Sequence, residues 1–204
     1  MTDRPILFSA PMIVALLDGR KTQTRRVLPN LPSTWDVREI IDGTVFAFKP
    51  GFAGEGHVKL RYAPGDRLWV RESGWISKTK TAFVPSVGNE QSGKGFQSPD
   101  GESFKSCPSI HMPRWASRLT LIVEAVKVER LTDISEADAQ AEGVEPVLGT
   151  PGVPLDRHYA AFMQLWDSLH GEGATYFNPW VVAVSFRVVR GNIDKIIDQR
   201  EVAA

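Results

Sequence analysis

The stretch SAPMIVALLDGRKTQTRRV, Ser9 to Val27, reads as a short helix followed by a strand. Ser9 offers an oxygen to the open N–H groups of a helix start, and Pro11 sits in the first turn, where its missing donor costs nothing. Gly19 is a natural residue just past the helix end. Met12, Ile13, Leu16 and Leu17 recur at helical spacing and define one apolar face. KTQTRRV, from Lys21, then brings long polar and β-branched side chains that suit an extended chain. With Arg20 counted, seven polar or charged residues follow directly on a buried helix. An edge strand guarded by charge explains such a run, and so does a binding site.

Working outward, Pro64–Gly65–Asp66 turns the chain into a strand, RLWVRES, from Arg67. RLTLIVEAVKVERL, Arg118 to Leu131, alternates and is β-branched, so it is expected as a long strand. Ser135–Glu136–Ala137–Asp138 starts a short helix that ends at Gly143. A second helix runs from a cap at Asp156 to His170, with a core stripe of Tyr159, Phe162, Met163, Trp166 and Leu169. WVVAVSFRVV, Trp180 to Val189, is the last strand, with Val182, Val184, Phe186 and Val188 on one side. Residues 29–64 are rich in Pro and Gly, with one short strand expected at VFAFK, Val45 to Lys49. Residues 77–108 read as a long exposed loop. Strands outnumber crossover helices and no βαβ unit repeats. The fold class is therefore α+β: a small mixed or antiparallel sheet curled into a partial barrel, with helices closing its ends.

The 204 residues fit one domain, 1–204, with loop insertions at 29–60 and 77–112. Twenty-four basic residues balance 24 acidic ones, which argues against coating nucleic acid through bulk charge. A single cysteine, Cys107, leaves no intrachain disulfide framework. With no signal peptide in view, a reducing cytoplasm is the expected compartment. The apolar N-terminal stretch is too short to span a bilayer, and no membrane partner is expected.

GRKTQTRR, Gly19 to Arg26, resembles the GxKxxxxR signature of the ASCH domain, a PUA-like β-barrel family. PGDRLWVRE resembles the family's turn and second strand, VERLTDISEADAQAEGV its strand and short acidic helix, and WVVAVSFRVV its closing strand. The wording RPILFSAPM and SIHMPRWASR resembles a phage or prophage subgroup. The resemblance implies an RNA or modified-nucleoside ligand. A bacterial branch of the family hydrolyses the acetyl amide of 4-acetylcytidine with Lys, Thr and Glu, and the matching positions here are Lys21, Thr24 and Glu142. A ribonuclease and a phage structural or morphogenesis-associated protein stand as further alternatives.

In the hydrolytic scheme a desolvated Lys21 serves as base toward the Thr24 hydroxyl, and Glu142 orients the lysine or carries the proton to the leaving amine. Arg20 and Arg26 are the expected ligand anchors. In a regular strand Lys21 and Thr24 point to opposite faces, so their convergence requires a turn or bulge. Glu72, at a strand end, is a further ligand candidate, and the flanking Trp69 and Trp75 can either stack a base or fill a barrel end. Trp115, within Pro113–Arg114–Trp115 and close to Arg118, is a second stacking candidate. Asn178–Pro179–Trp180 reads as punctuation before the last strand. Cys107 and His111 have metal-like spacing, with His57 upstream, yet three or four ligands do not assemble. No metal and no cofactor are expected.

Overall fold

The computed structural model describes residues 1–89, 93–147 and 157–196. The elements run β1 (Asp3–Leu7), α1 (Ala10–Leu17), β2 (Gln23–Val27), β3 (Asp36–Ile41), β4 (Thr44–Phe48) and β5 (Glu55–Lys59). Next come β6 (Arg67–Arg71), β7 (Gly74–Ser77), β8 (Phe83–Pro85), β9 (Gly95–Gln97) and β10 (Ser103–Cys107). The chain closes with β11 (Leu119–Arg130), α2 (Glu136–Ala141), α3 (Arg157–His170) and β12 (Trp180–Arg190). The architecture is mixed α+β, with mostly antiparallel sheets and few helices. Among the described residues no strand order closes into a ring.

These elements form two compact units. The first holds Met1–Gly19, Gly65–Ile122 and Arg187–Ala204; the second holds Arg20–Pro64 and Val123–Phe186. The long strands β11 and β12 contribute residues to both.

In the first unit β1 pairs parallel with β6, and β6 pairs antiparallel with the start of β11. Helix α1 buries Ile13, Ala15 and Leu16. Ser9 has extended cap geometry, but its side chain makes no cap bond; its carbonyl receives Ile13 N–H at 3.0 Å instead. Gly19 ends the helix region at φ 75°, a conformation that a Cβ disfavours. The expected loop over 77–108 contains three short strands, which join β7 in a sheet ordered β8-β7-β10-β9. Its strands are only three to five residues long, which leaves too little room for an alternation to show. Trp75, Ile76 and Phe104 are buried, and the Phe96 and Phe104 rings stack at 4.8 Å. A Cβ on Gly74 would lie 2.3 Å from the Val84 carbonyl oxygen and 2.6 Å from the Phe83 ring. Gly74→Ala is therefore expected to destabilise the fold by about 1–3 kcal/mol, read as a lowered urea midpoint with unchanged slope.

In the second unit β2 pairs antiparallel with β12, matching Thr24 to Val184 and Arg25 to Ala183. Val181 to Val184 are all buried, so this part of β12 is covered on both faces rather than one. The region read as a Pro/Gly-rich loop carries a three-stranded meander, β3-β4-β5, with the expected strand at Thr44–Phe48 as its centre. Ser135 caps α2 by accepting Asp138 N–H at 3.0 Å. Phe162 and Trp166 of α3 join Leu131, Ile134, Ala139 and Val181 in one apolar cluster, with Tyr159 and Met163 packed against it. Leu169, expected in that stripe, is half exposed at the end of the helix. The expected cap at Asp156 lies outside the described residues. No helix among the described residues is long and apolar enough to cross a membrane.

Candidate functional site

β2 is the end strand of its sheet, beside β12, yet the charged segment that leads into it turns Lys21, Thr24 and Arg25 away from solvent. Lys21 is wholly buried and Arg25 is 3% exposed. Lys21 precedes β2, where Thr22 N–H donates to the Ala141 carbonyl at the end of α2. That link brings Lys21 to Glu142, the residue that caps the C-terminus of α2. Lys21 Nζ donates to Glu142 Oε2 at 2.7 Å and to the Glu142 carbonyl at 2.8 Å.

Arg25 grips the other oxygen of the same carboxylate, with Nη1 donating to Glu142 Oε1 at 3.1 Å. Its Nε donates to Glu129 Oε1 at 2.9 Å, and its Nη1 donates to Gln23 Oε1 at 2.6 Å. Asp138 Oδ2 stands 3.5 Å from Nη2, and the guanidinium lies 5.8 Å from the Phe162 ring centre. Lys127 adds its ammonium 2.6 Å from Glu129 Oε2. Gln23 is held in turn by Asp138 and Ser185. Two cations thus share Glu142, and three acidic side chains surround Arg25.

Burial pushes the Lys21 ammonium below the ordinary lysine value. The charge and hydrogen bond of Glu142 push it back up, while the charges of Arg26 and Arg25 lower it further. The balance stays on the low side, which makes a neutral amine easier to reach than on a surface lysine.

Of the three residues expected to act together, the structure joins Lys21 and Glu142. Thr24 is 2% exposed and stands outside this hydrogen-bonded group. Alternation along β2 puts Thr24 on the face opposite Gln23 and Arg25. Arg26 is partly buried on Thr24's face. Arg20 donates to the Gly143 carbonyl at 3.0 Å and pairs with the exposed Glu145 at 2.9 Å.

The remaining candidates belong to the first unit. Glu72, a ligand candidate at a strand end, is 2% exposed and is clamped by Arg118 at 2.7 and 2.9 Å. That pairing neutralises it and leaves little for a ligand to take. Trp69 is 9% exposed, with the Arg71 guanidinium 5.1 Å from its ring centre, so it fills the core rather than offering a stacking face. Trp75 is buried and donates to the Gly93 carbonyl at 3.1 Å. Trp115, by contrast, is exposed. In the second unit, Trp180 donates to the Trp35 carbonyl at 2.6 Å under the Arg130 guanidinium, which makes it a structural pin. Among the described residues no three His, Cys, Asp or Glu side chains are placed to hold a metal ion.

The residues that the sequence did not single out are Arg25, Glu129 and Asp138. Their signal was present in part: two successive arginines in one strand must face opposite ways, so one of them faces inward. No family model matches the chain, and no curated protein or solved structure matches it either.

Proposed function

We propose that the chain, 1–204, is an ASCH-type, PUA-like domain that binds RNA or a modified nucleoside of the cytidine kind, with Lys21 and Glu142 of the second unit as the recognising pair. The observation that carries this reading is the 2.7 Å contact between Lys21 Nζ and Glu142 Oε2, in side chains 0% and 3% exposed. A cytosine edge carries an amino donor at N4 beside ring acceptors. A carboxylate accepts from that donor and an ammonium donates to the acceptors. Arg25, on the second carboxylate oxygen, fixes the orientation in which Glu142 would meet the base. Ion pairs taken this far out of water add little net stability compared with apolar packing, which favours a role beyond holding the fold. Arg20 and Arg26 are assigned to the sugar or phosphate. Because the pair is closed to solvent, a ligand reaches it only once the covering side chains move, and slow association is expected.

One observation favours a second reading, hydrolysis of the 4-acetyl amide: the lowered Lys21 ammonium. A neutral Lys21 would take a proton from water as its oxygen adds to the acetyl carbon. The C–N4 bond then breaks and the proton passes to N4 through Glu142, leaving acetate and cytidine. Thr24 would serve as nucleophile only after leaving its buried place.

Incubation with 4-acetylcytidine, followed by calorimetry and chromatography, tests both readings. Saturable binding without cytidine release supports the binding module. Release that survives in Thr24→Ala and disappears in Lys21→Met supports hydrolysis through the pair. Neither affinity nor release, in protein whose circular dichroism is native, rejects the site.

A further inference from the structure

Outside the Lys21 region, the first unit holds a cleft of about 390 Å³ lined by Ile76, Lys80, Lys105, Cys107, His111 and Trp115, among others. That volume falls within the range of small-molecule sites. Its lining includes two lysines and a histidine but no acidic residue. Lys80 and Lys105 are exposed, and neither is ion-paired among the described residues. The charges of Lys105 and Arg71 both reach the buried Cys107 thiol at the cleft wall, where they oppose the upward push of burial. Positive potential is therefore concentrated on a concave surface that has no internal counter-charge.

The same cleft displays an aromatic face. Trp115 is 45% exposed, an unusual position for so large an apolar side chain. It does not hang from a slack loop. It sits in a single 3-10 turn, Arg114–Ala116, and Asn192 Nδ2 donates to the carbonyls of Arg114, Trp115 and Ser117 at 2.8, 3.1 and 2.9 Å. Asn192 thus staples the backbone on both sides of the tryptophan. Arg114 is locked to Asp3 and Asp194, so its charge is spent within the protein and does not compete for a ligand. The Cys107 wall is held by β10 pairing with β7, where Ser106 matches Trp75 and Cys107 matches Gly74. An indole on a rigid turn, with free ammonium groups across a small cleft, suits a ligand that is both planar and anionic.

We propose that this cleft is a nucleotide-binding site, in which the base stacks on Trp115 and the phosphate is held by Lys80 and Lys105. Stacking on an exposed tryptophan tolerates any base, and the two lysines supply the charge that a phosphate needs. His111, also in the cleft lining, brings a ring nitrogen that can add a hydrogen bond. The phosphate can come from a free nucleotide or from the end of an RNA strand, since the recognising chemistry is the same. This inference does not depend on the Lys21–Glu142 reading, and the two use different residues.

The test is calorimetric titration with adenosine 5′-monophosphate, adenosine, inorganic phosphate and a 5′-phosphorylated RNA trinucleotide. Saturable binding of the monophosphate or the trinucleotide is expected, at least tenfold tighter than adenosine or phosphate alone and weakening as salt is raised. The tighter of the two identifies the source of the phosphate. Trp115→Ala, and Lys80→Gln combined with Lys105→Gln, should each weaken binding about tenfold or more. All three side chains are exposed, so the variants are expected to keep their native circular dichroism. Absence of saturable binding, equal affinity for adenosine, or binding unchanged by these substitutions overturns the proposal.

Discussion

Replacing Arg25 with methionine is expected to cost the fold about 3–5 kcal/mol, a large share of the total stability of an ordinary domain. Arg25 is the shared counter-charge of Glu129, Asp138 and Glu142, and its guanidinium is 0% exposed. Methionine fills similar space beside Phe162 but donates nothing, so Glu129 keeps Lys127 as partner while one oxygen of Glu142 loses its donor. Breaking one side of a buried ion network is far costlier than replacing the whole network with apolar residues. A combined Arg25→Met, Glu129→Gln variant should therefore recover part of the loss, as a non-additive term of about 1–3 kcal/mol in a double-mutant cycle from urea denaturation. Arg26→Met in the same assay should cost clearly less, because Arg26 sits on the opposite face of β2. Equal losses for the two arginines would show that the buried carboxylates do not depend on Arg25 as their counter-charge.

Glu142→Gln carries the second large effect, and its size depends on pH. At neutral pH the change removes the negative partner of the buried Lys21 ammonium, at an expected cost of about 2–4 kcal/mol. Burial already holds Lys21 below its unfolded value in the native protein, and Glu142 is the main influence raising it again. Without that carboxylate, Lys21 falls further. Between its folded and unfolded values the unfolded chain binds more protons, so stability rises with pH across that window. The window opens at lower pH in the variant than in the native protein. The variant therefore begins to regain stability sooner, and the gap between the two proteins narrows as pH rises toward the alkaline side. Urea midpoints measured from pH 6 to pH 10 check this. A gap that stays constant or widens with pH would mean that Lys21 does not titrate with Glu142 as its partner.

Much of the second unit was legible in the sequence because its elements are long or carry written ends. The strand of β11 has twelve residues, and Ser135 and Gly143 bracket α2 with the cap and the left-handed stop that their chemistry favours. The meander β3-β4-β5 was harder to see, since Asp36–Ile41 exposes neighbouring residues on both faces and so lacks a period of two. VFAFK alone was read from it, and the Asp42–Gly43 pair beside it, with positive φ values of 49° and 72°, makes the tight turn between β3 and β4. The sheet of β7 to β10 was hidden by its short strands and by a composition rich in Ser, Gly and Lys.

The site was legible in a different way. Lys21 and Glu142 lie 121 positions apart, and no local pattern connects them; only the family resemblance suggested the pair. Arg26 was favoured over Arg25 as an anchor because the signature ends on it, whereas the fold turns Arg25 inward to the carboxylates. Glu72 was read as a ligand candidate, and its carboxylate is instead held by Arg118, 46 positions away. Charged residues in strands report their partners only after the sheet has formed.

The side-chain nitrogen resonance of Lys21, in protein labelled with ¹⁵N-lysine, reports on whether a nucleoside reaches the proposed Lys21–Glu142 site. A buried, hydrogen-bonded ammonium exchanges slowly with water, and Lys21→Met assigns its signal. On titration with 4-acetylcytidine that resonance should move in a saturable way, while adenosine leaves it in place. A Lys21 signal that stays fixed at saturating 4-acetylcytidine would rule out Lys21 as part of a nucleoside site.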